Sequence, residues 1–547
     1  MDSHAKFVED RLLEQLQTTR EELERWKNDL YLMDSYTVSR FWTYIENAPA
    51  VIIIGDYDCD GICASYILYK SIKAKFPGKR TAVRIPKRQS EGYGINAVIV
   101  DEIKSKMPPE SLIVTVDNGI AAAPILESLC DSGFKVIVTD HHELGKNRIP
   151  KVDMILDPAV DGLCSAFDGR YWCGAGVAYK LSEQVIPEDL AKDLSCFAGL
   201  ATVADCMVLR EGNWGLVKRA ISLFRDKEAP KTLTELLVAM RQQPDYANAD
   251  SFSFYLGPCF NAPGRLSDDG PRLVLDYLLT PTETKRDQII TYNETRKEIR
   301  DAEYELVKKQ IEETGRQNDC PIWVSVPGLH EGIVGILAGK VTEEYHTPAI
   351  VVTESKEDAM TLKGSARSVP GIDIFAFLNR HSDLFSKFGG HEGAAGLSMP
   401  KENFEKALQA QMPNNIKSII ESNEEAQKAF RISLDEIPNF LPVIERISPF
   451  GEGNPAPKFI TNVDLNADNA EFFGQEKKHL KVERAADGYR VIHFFHEPNE
   501  LHDKQNFDLV GTISRDGFRG FTYASFNAEE AVDVQQEKDD RELTDDE

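Results

Sequence analysis

Apolar residues in the first third of the chain come in short unbroken runs rather than in alternation. VIII at 51–54, LIVTV at 112–116 and VIVT at 136–139 each stop at a glycine or an aspartate. Continuous apolar strands of this length are buried on both faces, as in a parallel sheet. VIIIGDYD, TAVRIPKR, SLIVTVDNG, KVIVTDHHE and VDMILDPAV alternate with segments of helical spacing, which predicts a doubly wound α/β sheet. LATVADCMVL reads as a further apolar run, ending at Asp205.

Elsewhere the pattern changes. Residues 1–50 are rich in Leu, Glu, Arg and Lys at helical spacing and predict a helical lead-in packed on the first domain, which runs over 51–283. Residues 284–315 mix charged and apolar positions at helical spacing with no Pro or Gly before the end. A polar helix of that length bridges domains. PIWVSV opens a second region over 320–411. After a helical spacer, 430–528 break into short strands (HLKVER, YRVIHFF, FDLVGTI, FTYASF), which suits a small β-barrel.

Composition adds bounds. A chain of 547 residues predicts roughly three to four domains. No apolar run approaches the roughly 20 residues that span a bilayer, and MDSHAKFVEDRLLEQ has no signal-type segment. Nine cysteines without paired spacing point to reduced thiols. A cytoplasmic protein, with no membrane contact, is expected. The net charge of -26 means that any nucleic-acid contact must come from local basic patches. Part of that charge sits in 529–547, where ten Asp or Glu face two Lys or Arg, a tail too polar to pack.

The chemistry lies where the runs end. DYDCDG places Asp56, Asp58 and Asp60 at alternate positions after the first run; Asp117 follows the second, and Asp140, His141 and His142 follow the third. Carboxylates this close repel one another unless a cation sits among them. Several strands of one sheet delivering carboxylates and an imidazole to one edge is a way to build a two-metal phosphoryl-transfer site. Oxygen donors with few imidazoles suit Mn2+ or Mg2+ better than zinc.

DYDCDG, VDNG, the Asp-His-His at 140–142 and VADCMVL together resemble the DHH phosphoesterase superfamily, and within it the single-strand-specific 5′→3′ exonucleases. The likeness extends in order through IPKRQSEGYG (85–94), GPCFNAPGRL (257–266), GLHEGIVGILAG (328–339), GSARS (364–368), FGGHEGAAGL (388–397) and PFGEGNPAP (449–457). Cys59 stands where the superfamily often has alanine, and Leu329 where tryptophan is common. The resemblance implies a DHH domain with a parallel sheet, a long connecting helix, a DHHA1 α/β domain and a C-terminal OB-fold barrel.

It also implies roles. Asp58, Asp60, Asp117, His141 and Asp205 are the expected ligands of two Mn2+ or Mg2+ ions, with Asp117 bridging. Asp56 either ligates or braces a ligand. Asp140 is expected to orient His141 through the far ring nitrogen, and His142 to contact the scissile phosphate or donate a proton. Arg88, Arg265, Ser365 and Arg367 match positions that grip phosphate, and the glycine-rich loops place backbone amides near Ser365, Arg367 and His391. Lys477, Lys478, Lys481 and Arg484 with Phe472 and Phe473 are either a strand-binding patch of the barrel or a solvated face over its core. The implied activity is release of mononucleotides from single-stranded DNA in recombination and repair, through a channel between the DHH and DHHA1 domains. The enzyme is expected as a monomer working beside a helicase and a single-strand-binding protein. Action on short oligonucleotides or cyclic dinucleotides, or an inactive scaffold, are the alternatives; the C-terminal strands disfavour the first and the full ligand set the second.

Overall fold

The computed structural model describes residues 3–28, 33–145, 147–160, 172–412, 429–474, 477–484, 487–494, 505–518 and 521–532. The chain forms two compact units, the first of residues 1–261, 271–287 and 428–547, the second of 262–270 and 288–427.

The first unit is built on five parallel strands: β1 (Val51–Ile54), β2 (Thr81–Arg84), β3 (Leu112–Val116), β4 (Lys135–Thr139) and β5 (Met154–Leu156), in the order β2-β1-β3-β4-β5. β1 and β3 are buried at every position, which is why their sequences do not alternate. Asp117 N donates to Thr139 O and Asp140 N to Leu156 O, so the ladder reaches one residue past β3 and β4 and fixes both carboxylates at the same edge. The sixth apolar run is not a strand. Residues 200–204 close the seventeen-residue helix Glu188–Ala204, and Asp205 is its C-cap. Its Leu and Ala residues favour helix, and its length exceeds that of a strand.

The C-terminal strands belong to the same unit: β11 (Phe430–Arg431), β12 (Phe459–Asp464), β13 (Glu471–Phe473), β14 (His479–Arg484), β15 (Tyr489–Phe494), β16 (Asn506–Phe518) and β17 (Phe521–Val532). They form one sheet in the order β11-β12-β16-β17-β15-β14-β13. Residues 529–532 of the expected tail are therefore strand, paired to β16 because Ala531 and Val532 extend the ladder; the remainder of the tail lies outside the described residues. The lead-in helix Arg20–Asn28 lies against the helix Glu211–Arg225 of the first domain, and with Ser3–Gln15 it also reaches the C-terminal region. Leu12, Leu13 and Trp26 share a core with Phe440, Phe459 and Leu480 of the C-terminal region.

The seam with the parallel-sheet domain is continuous. Trp214 Nε1 donates to Ile447 O at 2.9 Å, Leu209 N donates to Glu452 O at 2.7 Å, and the rings of Trp26 and Trp214 lie 6.2 Å apart.

The second unit holds β6 (Ile322–Ser325), β7 (Ala349–Glu354), β8 (Thr361–Arg367), β9 (Lys387–His391) and β10 (Ala394–Pro400), in the order β6-β7-β8-β10-β9. The 32-residue helix Glu283–Thr314 matches the expected polar helix and, from residue 288, belongs to this unit. Tyr304, Val307 and Ile311 of that helix pack against β6, β7 and the helix Val334–Tyr345.

Among the described residues of the lead-in, Glu9 carries the one buried carboxylate. Its side chain is fully buried and accepts from Arg20 at 3.1 Å and from Arg446. Burial alone would raise its pKa, but the two guanidinium groups hold it below the usual range. A depressed folded pKa stabilises above the unfolded value, about 4.3, and that contribution is lost as pH falls through the folded value. Because both arginines are part exposed, Glu9→Gln should cost about 1 to 2 kcal/mol at pH 7. The difference from wild type, read from denaturant melts, should narrow as the buffer is taken into the acid range.

Candidate metal centre

Glycine brings the acidic turn onto its helix. A Cβ on Gly61 would lie 2.5 Å from Asp56 N, so only glycine lets the turn after β1 fold against the start of the helix Cys59–Lys75. Asp58 caps that helix, accepting from Gly61 N at 3.0 Å. Asp60, buried in its first turn, accepts from Gly174 N at 2.6 Å and Ala175 N at 2.7 Å, the opening amides of the helix Gly174–Ser182. A helix N-terminus offset against a buried carboxylate compensates part of its charge. Asp56 is buried and accepts from Gly94 N at 3.2 Å.

Asp117 follows β3 at φ 61°, in the left-handed region. A Cβ on Gly174 would lie 2.5 Å from its own Cβ, so Gly174 both donates to Asp60 and lets Asp117 sit beside it. His141 Nε2 lies 3.0 Å from Asp117 Oδ1, 3.5 Å from Asp60 Oδ2 and 3.5 Å from Asp205 Oδ2. One ring nitrogen therefore faces three carboxylates, delivered by a strand end, a helix start and a helix end.

The charges are not balanced by the protein. Burial, then Asp60 and Asp58, pushes Asp117 well above the usual carboxylate range; burial, then Asp58, does the same to Asp56, and burial, then Asp60, to Asp205. Asp140 is as deeply buried and shifts the other way. Burial pulls it up, but the His142 ring at 2.8 Å, Ile120 N at 2.9 Å and His141 N at 2.8 Å all donate to it. Burial lowers His142, yet Asp140 outweighs this and holds it up at about 9.

Asp140 thus braces the ring of His142 and touches only the backbone of His141, contrary to expectation. Its carboxylate turns back to cap the amides of residues 120, 141 and 142, and from there the second imidazole is the one within reach. Three groups of donors could hold a cation: Asp117, His141 and His142; Asp60, His141 and Asp205; and Asp56, Asp58 and Asp117, each with its donor atoms within 4.8 Å of one another. Asp117 and His141 each belong to two of the groups. The donor set fits hard divalent ions, and the raised carboxylates are buried negative charge for which such ions would compensate.

Several contributors carried no sequence signal of their own. Tyr93, inside the EGYG stretch, donates its hydroxyl to Asp117 O at 2.9 Å and lies 3.1 Å from His142 Nδ1. Asn118 ties β1 to β3, donating to Ile54 O and Val116 O. Asp157, after β5, is fully buried, and burial and Asp140 push it up to about 7. Arg88 is near the centre, its guanidinium 4.6 Å above the Tyr57 ring, which in turn lies edge-on to Tyr93.

The remaining expected residues lie in the second unit. Ser365 and Arg367 share one face of β8, and Arg367 Nη1 donates to Ser365 Oγ at 2.6 Å. A Cβ on Gly335 would lie 3.1 Å from Arg367 Nη2 and 3.3 Å from Ser365 Oγ, so glycine in the first turn of the helix Val334–Tyr345 lets both approach its N-terminus. Arg265 donates to Gly332 O, just ahead of that helix, at 3.1 Å. Arg367 and His391 both pair in register with Ala394, which sets them on one row two strand spacings apart, about 10 Å. Amides at a helix N-terminus, a hydroxyl and two guanidinium groups make a cradle for an anion.

On the C-terminal sheet, Phe472 and Phe473 separate. Phe472 packs on the core, while Phe473 stands opposite His479, which stands opposite Phe494 on the next strand. The three rings, from β13, β14 and β15, form a triangular cluster with centroids 5.1 to 6.0 Å apart, and Phe494 is 62% exposed. Of the expected basic patch, Lys481 is paired with Glu471 at 2.9 Å and Arg484 with Asp468 at 3.7 Å.

Comparison with known proteins follows the same division. Residues 50–206 match the DHH family, N-terminal domain; residues 320–412 match the DHHA1 domain; residues 430–530 match the RecJ OB domain. The single-stranded-DNA-specific exonuclease RecJ of Salmonella typhimurium is 32% identical over 383 residues, 66% of this chain and 65% of that protein. The Bacillus subtilis protein of the same name is 29% identical over 445 residues, 80% of this chain and 55% of the relative. The chain thus spans between about half and two thirds of these relatives' lengths. A crystal structure of Thermus thermophilus RecJ in complex with Mn2+ superposes with a TM-score of 0.71 at 22% identity, covering 96% of this chain and 78% of the other. With the three domains in order and the fold shared, the chain belongs to the DHH family, in its branch with DHHA1 and RecJ OB domains.

Proposed function

We propose that the chain is a divalent-cation-dependent exonuclease that digests single-stranded DNA from the 5′ end and releases mononucleotides. The observation that carries this reading is the His141 Nε2 atom among Asp60, Asp117 and Asp205, a buried donor set with more negative charge than the protein compensates. Relatives 29 to 32% identical are named single-stranded-DNA-specific exonucleases, which supports the substrate.

Asp58, Asp60, Asp117, His141 and Asp205 would hold two ions, Mn2+ or Mg2+. Asp56, as deeply buried as Asp117 and likewise raised, joins them as a ligand rather than as a brace. Such ions, when bound, polarise a phosphoryl oxygen and make water a nucleophile near neutral pH. The chain's own groups do the rest. Asp140 and Tyr93 hold the His142 ring in place, so that its imidazole can meet the scissile phosphate or pass a proton to the departing oxygen. Arg88 in the first unit, and Arg265, Ser365, Arg367 and His391 in the second, receive backbone or terminal phosphate. The ring cluster of Phe473, His479 and Phe494, with Phe494 exposed, offers bases a stacking surface that tolerates any sequence. An enzyme restricted to single strands depends on others to open duplex, so a helicase and a single-strand-binding protein are the fitting partners. The chain acts as a monomer in the cytoplasm.

With Mn2+, 5′-labelled single strands should yield labelled mononucleotides, blunt duplex should be spared, and a chelator should stop the reaction. Equal digestion of duplex, or activity that survives chelation, contradicts the reading. Asp117→Ala should abolish turnover while strand binding by fluorescence anisotropy stays near wild type. Gly174→Ala, which drives a methyl group against Asp117, should weaken Mn2+ binding in calorimetry by about 10- to 100-fold. Phe473→Ala and Phe494→Ala should each weaken binding of a long strand by about 1 to 3 kcal/mol. Hydrolysis of a strand too short to reach that surface should be unaffected.

A further inference from the structure

The seam between the parallel-sheet domain and the C-terminal sheet encloses a cavity that shares no residue with the metal centre. Its volume is about 110 Å³, and its walls include Lys218, Arg225, Asp250, Glu445, Ala456 and Arg515. Arg515 donates to Glu445 through Nε at 2.5 Å and Nη2 at 2.9 Å, and Arg225 donates to the same carboxylate through Nη1 at 3.3 Å. Arg225 Nε donates to Ala247 O at 2.9 Å. Among the described residues nothing accepts from Arg225 Nη2 or Arg515 Nη1. Two guanidinium groups therefore share one carboxylate and each keeps an unused edge at the wall of the cavity.

Positive charge prevails there. Lys218, Arg225 and Arg515 face two carboxylates, Glu445 and Asp250. Burial, then Arg225, pushes Lys218 down to about 8, and burial lowers Arg225 although Glu445 lies beside it. In a chain of net charge -26 a part-buried cationic pocket is a local exception. Lys218 itself is occupied, its ammonium donating to Glu445 O and Ser448 O. The arginines are the groups left to bind. The volume has room for several waters, enough for a tetrahedral oxyanion.

We propose that this cavity binds one free oxyanion of the phosphate class between Arg225 and Arg515, and that its occupancy tightens the seam. The planar fork of arginine matches two oxygens of such an ion. The shared chemistry also admits a phosphate of a bound strand, and the experiment separates the two sources. Metal-free full-length protein is melted against inorganic phosphate at constant ionic strength with chloride as reference, and in parallel against a short oligothymidylate.

Wild type should gain a saturable rise in Tm with phosphate over chloride. Two variants test its origin: Ala456→Leu fills the cavity without removing a charge, and Arg515→Gln removes one unused edge. Each should weaken the phosphate response by about tenfold or more in apparent Kd, a step of about 1.4 kcal/mol. Phosphate held by the second unit's cradle would persist in both variants, so the difference isolates the seam. An equal phosphate response in wild type and Ala456→Leu overturns the site. A response to the oligonucleotide alone, lost in Ala456→Leu, overturns the free ion in favour of a strand phosphate.

Discussion

Buried negative charge with too few donors is the condition on which the first unit depends. Asp56, Asp60, Asp117 and Asp140 are all at least 98% buried, yet they do not fare alike. Asp140 takes three amides and an imidazole and settles below its usual range. Asp60 takes two amides from a helix N-terminus. Among the described residues Asp117 has His141 as its one side-chain hydrogen-bond partner, and it is raised. At equal burial, the number of donors decides the sign of the shift. Asp140, satisfied by its donors, is a brace, and the raised Asp56, Asp117 and Asp205 mark where a cation would sit. This distinction sets Asp56 beside Asp117 as a candidate ligand and keeps Asp140 a brace, of His142 rather than His141.

The same constraint explains the glycines. Asp60 can reach the amides of residues 174 and 175 only if the helix Gly174–Ser182 comes down on Asp117, and a side chain at 174 would collide with it. Gly61 does the equivalent work against Asp56. The centre is a set of close backbone approaches, and the glycines at 61 and 174 are as much part of it as the donors are.

The parts legible in the sequence were those with a period. Runs buried on both faces announced the parallel sheet, and residues after β1, β3 and β4 announced its acidic edge. The polar helix was legible because nothing interrupts its spacing. What failed was whatever depends on contacts across sequence. An apolar run ending at Asp205 fits a strand or the end of a buried helix equally well, and only its packing against other helices decides. Which imidazole Asp140 braces turns on where its carboxylate points, and spacing is silent on that. Phe472 and Phe473 could both have been core or both surface; the strand period of two puts one on each side once β13 is known to pair with β14. The amides of Gly174 and Ala175 reach a carboxylate more than a hundred positions away and leave no local trace.

On the proposed function, each unit would answer one half of what a phosphodiester presents. The first gathers carboxylates that call for cations and so supplies positive charge at one remove, through ions the solvent must provide. The second supplies it directly, by Arg265 and Arg367 at a helix N-terminus opened by Gly335. A cradle of arginines alone would bind phosphate tightly in ground state and transition state alike, which lowers KM without raising kcat. A centre of hard cations acts where charge develops during the reaction. Keeping the two provisions on different units of one chain lets grip and chemistry be set separately.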